Sequence, residues 1–210
     1  MTDYTSCWYN KSLLYSEMIR SVRNHQSFEQ IGHGKVLISL VNMVDDDDEL
    51  KFLDVGTGGG LGHTIVKKSE WTGCDLSHVI ENVSKKCFPD LNYIECDLLN
   101  DDLSFFKEFD ILLFNAIFDV MENPIELLER VLKNSKNYVI IHRQQISNGY
   151  LSNGFTITKE PSYGGFTFRT NIERKLFINI LKNNKFSIIK EMDSGLGLSN
   201  NYSFLLKKDE

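Results

Sequence analysis

Much is missing from this chain, and each absence closes a possibility. No apolar run approaches the ~20 residues that span a bilayer. The polar start, Thr2-Asp3-Tyr4-Thr5-Ser6, carries no signal-peptide core. The four cysteines, Cys7, Cys74, Cys87 and Cys96, are widely spaced and form no CxxC pair. They read as the reduced thiols of a cytoplasmic protein. His25, His33, His63 and His78 lack the spacing of metal ligands, so no metal is expected. No dense Lys/Arg stripe is present and the formal net charge is −6. Nucleic acid and anionic membrane are therefore not the expected partners. There is no internal repeat. The one biased segment, Asp45 to Glu49, reads as a self-repelling solvated loop and not as a cation site.

What remains is an ordinary globular chain of 210 residues, 41% of them apolar and 25% charged. That suits one domain over 51–210, preceded by a helical extension over 1–50. In the extension, Leu13, Leu14, Met18 and Val22 repeat at helical spacing, as do Val36, Leu37, Leu40, Val41 and Val44. These two helices either pack on the sheet edge or also roof a substrate pocket.

From Lys51 the pattern alternates. Strands are expected at 51–55, 71–75, 91–96, 109–115 and 138–142, with helices over 64–69, 77–87 and 124–133 between them. Asn123, Pro124 and Glu126 mark the start of the last helix. Strand four is apolar almost throughout, as a strand covered on both faces should be. Ser147 to Arg169 shows no helical period and reads as a long loop. Thr170 and Glu173 suggest a capping box for a helix to Asn183. Strands at 185–192 and 202–207, joined by a turn with Gly195 and Gly197, should pair antiparallel. The fold class is α/β, a Rossmann-like, doubly wound, mostly parallel sheet of seven strands with an antiparallel last strand.

The decisive stretch is Asp54-Val55-Gly56-Thr57-Gly58-Gly59-Gly60-Leu61-Gly62, which follows the first strand. A dinucleotide fingerprint needs glycines at i, i+2 and i+5. The i+5 positions here are Leu61, His63 and Ile65, and no Gly-Lys-Ser/Thr follows, so that fingerprint and the P-loop both fail. What matches is acid-x-Gly-x-Gly-x-Gly, at Asp54, Gly56, Gly58 and Gly60. This resembles motif I of the class I S-adenosylmethionine (SAM)-dependent methyltransferases. Acids at the ends of the next two strands, Asp75 and Asp97, extend the resemblance, which covers Lys51 to Lys207.

The resemblance implies a set of roles. Gly56, Thr57, Gly58 and Gly60 with Leu76 cradle SAM. Asp54 holds the loop or meets the ammonium group of the methionine part. Asp75 accepts from the ribose hydroxyls. Asp97 accepts from the adenine amine while Leu98 packs on the ring, and Asn115 bonds the methionine amino group. The product is S-adenosylhomocysteine (SAH). After strand four, Asn115-Ala116-Ile117-Phe118 lacks both prolines of the amino-methylating DNA enzymes. Phe118 and Asp119 stand where many small-molecule methyltransferases carry histidines.

His142, at the end of strand five, titrates near neutrality when unperturbed and is the expected general base. Arg143 could bind an acidic substrate group, and Phe118 and Tyr163 complete the expected substrate pocket. The long loop with Pro161 and Tyr163 is similar to that of methyltransferases of bacterial polysaccharide gene clusters. The function expected is methyl transfer to an oxygen or nitrogen of a small molecule, with a sugar or glycan precursor in view. The alternatives are a SAM-binding protein without catalysis and a nicotinamide oxidoreductase.

Overall fold

The structure is a computed structural model in which residues 11–47, 49–162, 165–197 and 200–210 are described. Tyr163 and Cys7 lie outside them. Among the described residues two α-helices come first, α1 (Lys11–Asn24) and α2 (Gly34–Val41). Five strands then alternate with helical segments: β1 (Lys51–Val55), β2 (Glu70–Asp75), β3 (Tyr93–Glu95), β4 (Ile111–Asn115) and β5 (Tyr138–Ser147). Between β2 and β3, α3 (Ser77–Val79) runs through a π segment, Ile80–Ser84, into α4 (Lys85–Cys87). The helix α5 (Pro124–Asn134) joins β4 to β5. The chain closes with β6 (Phe155–Ser162), β7 (Gly165–Glu173), α6 (Arg174–Asn183), β8 (Phe186–Asp193) and β9 (Asn201–Lys208).

The five early strands are parallel, in the order β3-β2-β1-β4-β5. β9 adds antiparallel to β5, and β8 pairs antiparallel with β9. This accounts for the seven expected strands and for the reversed one. Alternation along each strand divides the core. Leu53 and Val55 of β1, Leu112 and Phe114 of β4, and Val139 and Ile141 of β5 face one cluster, with Leu127, Leu128, Val131 and Leu132 of α5. Phe52, Ile111, Leu113 and Ile140 face the other, with Leu37, Leu40 and Val41 of α2. Strands covered on both faces need apolar residues at every position, which is why β4 shows no alternation in sequence. Each such large side chain contributes about 1.5–3 kcal/mol through burial.

Among the described residues the sheet has nine strands, not seven. The stretch expected as a loop forms the β6–β7 hairpin. Its period of two is plain once sought: Phe168, Thr170 and Ile172 are buried while Arg169 is exposed. Asn171 to Glu173 of β7 lie parallel to Gln145 to Ser147 of β5. β9 already occupies one edge of β5, so the hairpin lies on the edge that β4 occupies lower down. It therefore stands beyond the carboxyl end of β4. The turn comes at Arg143, with φ +65, inside a register shift between Ile141 and Gln144.

Four local expectations are corrected. Thr170 is an interior β7 residue whose hydroxyl donates to the Met121 carbonyl, so no capping box forms and α6 begins at Arg174. Asn123 precedes α5 without a side-chain cap bond. No helix runs over 64–69. A 3-10 turn, Leu61–Ile65, stands instead, and the chain after it is tied down by Asp45. The Asp45 carboxylate accepts from the amides of Lys67 at 2.6 Å and Ser69 at 2.7 Å, from the Ser69 hydroxyl, and more distantly from the Lys68 amide. Asp45, read as solvated, is buried.

Candidate functional site

In an open α/β sheet, ligands bind where neighbouring connections leave toward opposite faces, outside the carboxyl ends of the strands. Here that point lies between β1 and β4, and a cavity of about 350 Å³ opens there. Its wall includes Gly56, Asp75, Leu76, Asp97 and Leu98 on one side and Asn115, Asp119 and Arg143 on the other. A volume of that order is typical of small-ligand sites.

The glycine loop is folded by its own backbone. Gly56 and Thr57 both donate to the Cys74 carbonyl, at 2.8 and 3.1 Å. Gly56, Gly58 and Gly60 have φ of +70, +55 and +80, the left-handed region that side chains disfavour. A Cβ on Gly56 would also collide with Ile117, which lines the cavity. Gly62 is needed for a different reason, because a Cβ there would run into the Asp54 carboxylate.

Asp54 is buried under the loop and its Oδ2 accepts from the Thr57 hydroxyl at 2.9 Å. It does not line the cavity. Burial pushes its carboxyl up to about 7, with the Thr57 bond opposing and the Asp75 charge adding to the rise. Asp54 and Thr57 thus brace the loop from behind. Asp75 stands at the wall. Its Oδ2 accepts from the Gly58 amide and its Oδ1 from the Leu76 amide, each at 2.8 Å. Burial lifts it to about 6 against those two bonds. Each oxygen has a second lone pair for a ligand hydroxyl.

Asp97 also lines the wall. Its carboxylate accepts from the Leu99 amide at 3.0 Å and the Asn100 side chain at 2.8 Å. Across the cavity, Arg143 Nε donates to Asn115 Oδ1 at 2.9 Å. Ala116, just past β4, and Arg143, inside β5, hold φ of +55 and +65 at the cavity. Strained backbone of this kind gathers at functional sites.

Two residues expected at the pocket are elsewhere. Phe118 is 1% exposed, packs against Phe114 with ring centroids 5.1 Å apart, and belongs to the main core. His142 is likewise 1% exposed. Its Nε2 is 2.9 Å from His33 Nδ1 and its Nδ1 is 2.7 Å from Ser203 Oγ. The strand alternation that points Arg143 at the cavity turns the neighbouring imidazole away. Burial drives it down to about 2, with His33 and Arg143 adding to the fall. Such a ring, held neutral and shut in, has no route to an acceptor at the cavity. Tyr163 lies outside the described residues.

Other wall residues were given no site role from the sequence. Met18 of α1 lines the cavity, close to where a side chain on Gly58 would stand. Its helical spacing marked it only as apolar face. Met121 and Thr167 line it from the segment after β4 and from β7. Asp119 sits on the 3-10 turn Phe118–Val120. Among the described residues, its Oδ1 is buried without a hydrogen-bond partner. Burial raises its carboxyl to about 6, and the charges of Arg143 and Arg169 oppose the rise. Its position four residues past the strand end was the available signal.

Comparison with solved structures gives the fold. Magnesium protoporphyrin IX methyltransferase from Synechocystis PCC 6803 with bound SAH is 13% identical, at TM-score 0.61, with 85% of this chain and 84% of that one covered. The fold is that of the SAM-dependent methyltransferases. A SAM-bound amino pentose methyltransferase of calicheamicin biosynthesis, from Micromonospora echinaspora, aligns at TM-score 0.57 and 11% identity over 84% of this chain and 90% of that one. The SAH-bound N-terminal domain of EvdMO1 aligns at 0.55 and 11%, over 83% and 82%. No family model and no curated protein matches the chain. Among the described residues, no helix of this methyltransferase fold is long and apolar enough to cross a membrane.

Proposed function

We propose that the chain is a SAM-dependent methyltransferase acting on an oxygen or nitrogen of a small molecule. One observation carries the reading. The Asp75 carboxylate, at the cavity wall, is bonded to the Gly58 amide of a loop whose glycines hold left-handed backbone. That couples the glycine loop to a ribose-binding acid in one unit. When bound, SAM supplies a methyl group on a positively charged sulfur, already activated for displacement.

The residues then divide the work. Asp75 takes the ribose hydroxyls, Asp97 the adenine amine, and Leu76 and Leu98 flank the base. The bare backbone at Gly56 permits close approach, and Asn115 reaches the methionine amino group. The extension over 1–50 contributes a lid through Met18 to the domain over 51–210. The acceptor enters beside Arg143 and Thr167. With a sulfonium already activated, position and exclusion of water provide most of the acceleration. A sugar or glycan precursor is the acceptor class we favour, in keeping with an amino pentose methyltransferase of the same fold.

Calorimetric titration with SAM, SAH and NAD tests the reading. SAM and SAH should bind and NAD should not. NAD binding without SAM binding would return the chain to the oxidoreductases. A SAM-binding protein without catalysis is the second reading, favoured by the seclusion of His142. Intact SAM after incubation with a broad acceptor panel would support it.

A further inference from the structure

With the His142 imidazole enclosed, the acceptor end of the cavity needs another group to receive a proton. We infer that Asp119 is the catalytic base of this site and that the acceptor presents a hydroxyl group to it. The inference rests on the methyl-transfer reading above and extends it to one residue and one substrate class.

The geometry is specific. Asp119 lines the same cavity as Asp75 and Asp97 but stands across it, on the turn after β4, with Asn115 and Arg143. Asp75 and Asp97 are both engaged by local donors, Gly58 and Leu76 for the first and Leu99 and Asn100 for the second. Asp119 differs, because its buried Oδ1 has no hydrogen-bond partner among the described residues. A buried carboxylate oxygen without a donor costs free energy, and sites that keep one generally use it. Burial brings its titration close to neutral pH, where a base is most effective. The β6–β7 hairpin holds the turn in place: Thr170 of β7 donates to the Met121 carbonyl, and Thr167 lines the cavity above.

Charge balance selects a hydroxyl. A neutral alcohol brings no charge into a cavity whose end already contains the Asp119 carboxylate and, offsetting it, the Arg143 guanidinium. As the acceptor oxygen bonds the methyl carbon, the carbon–sulfur bond breaks and its electron pair stays on sulfur. The hydroxyl proton passes to the Asp119 carboxylate. A carboxylate and a sulfonium enter the step, and a carboxylic acid, a methyl ether and neutral SAH leave it. In a site shielded from water, neutralising both charges together is favourable. An ammonium acceptor would instead be held protonated by the same carboxylate, with its nitrogen lone pair unavailable.

The experiment compares wild type with Asp119→Asn, which keeps shape and removes the base, and with Asp119→Glu, which restores a carboxylate. SAM affinity is measured by calorimetry, thermal midpoints confirm folding, and carbon-13 NMR follows side-chain carboxyls in the free protein. SAH release is measured with hexoses, hexosamines and phenols as acceptors. The expected result is unchanged SAM affinity in Asp119→Asn and a carboxyl signal, absent from that variant, that titrates near pH 6. Turnover of a hydroxyl acceptor should fall on the order of a hundredfold or more. With SAM saturating, so that the titration of Asp75 does not enter, the acidic limb of the kcat/KM profile for the acceptor should vanish in Asp119→Asn and return in Asp119→Glu. SAM affinity falling in step with turnover would make Asp119 a ligand of the SAM ammonium and overturn the inference. So would unchanged turnover, or methylation confined to hexosamine nitrogens. SAM binding with no product from any acceptor overturns the base and the transferase reading together. Failure of wild type to bind SAM overturns the underlying reading first, and the calorimetry alone reveals it.

Discussion

Asp75 shows how much one side chain can be asked to do. It joins the Gly58 amide to the Leu76 amide and still offers lone pairs to the cavity. Asp75→Ala removes the ribose contact and unties the loop at once. SAM affinity should fall about tenfold, on the order of 1.4 kcal/mol. Unchanged binding by calorimetry would sink the ribose assignment. The same residue predicts a pH dependence. Burial lifts its carboxyl to about 6 in the free protein, whereas hydroxyl donors favour the ionised form. SAM affinity should therefore hold above about pH 7 and weaken as pH falls through about 6. Asp75→Asn should lose that component of the decline.

At the scale of elements, Asp45 is the unexpected organiser. The chain leaves the 3-10 turn Leu61–Ile65 and enters β2 at Glu70 only after three successive amides meet one carboxylate. Burial pushes that carboxyl up, but the Lys67, Ser69 and Lys68 donors outweigh it and hold it below the ordinary value. Asp45→Ala leaves the buried Ser69 amide and hydroxyl, and the part-buried Lys67 amide, without this partner. It should cost roughly 2–4 kcal/mol, read as a lower urea midpoint with the slope unchanged. The wild-type contribution is complete above the unfolded pKa of about 4 and is lost as pH falls below it.

Asp45 also marks where sequence reading stops. Parallel strands announce themselves because burial on both faces favours apolar residues at nearly every position, so β1, β4 and the parallel sheet were legible. Glycines at left-handed positions and acids at strand ends were legible for a similar reason: few other residues can stand there. The contact of Asp45 with the amides of Lys67 to Ser69 depends on the tertiary path, and composition alone described a solvated acidic run. The β6–β7 hairpin was missed because its apolar positions alternate with threonines and charges, and a search for helical period passes over a period of two. His142 misled for a different cause. Arg143 and His142 are neighbours on one strand, so alternation sends only one of them to the cavity, and the sequence does not say which.

Across the whole molecule, His33, His142 and Ser203 form one buried chain of hydrogen bonds. His33 precedes α2, His142 belongs to β5 and Ser203 to β9, so the chain ties the N-terminal helices to the centre and the closing strands of the sheet. Burial, with Arg143 nearby, lowers His33 to about 4. Burial, with His33 and Arg143, lowers His142 to about 2. An unfolded histidine takes a proton near pH 6.5. Between that value and about 4 the unfolded chain binds more protons than the native one, so acidification favours unfolding. Each histidine contributes up to about 1.4 kcal/mol per pH unit in that window. Asp54, Asp75 and Asp119 act in the opposite sense, because burial raises them to about 7, 6 and 6 and their protonation favours the native state. The net wild-type curve is thus a difference of opposing slopes, and a variant isolates the histidine part. His142→Asn should be less stable than wild type at about pH 7.5, where the hydrogen-bonded chain is intact, and should lose less stability on going to about pH 5. Urea unfolding at the two pH values measures both quantities. Parallel loss in the two proteins would show that the histidine chain does not govern acid stability.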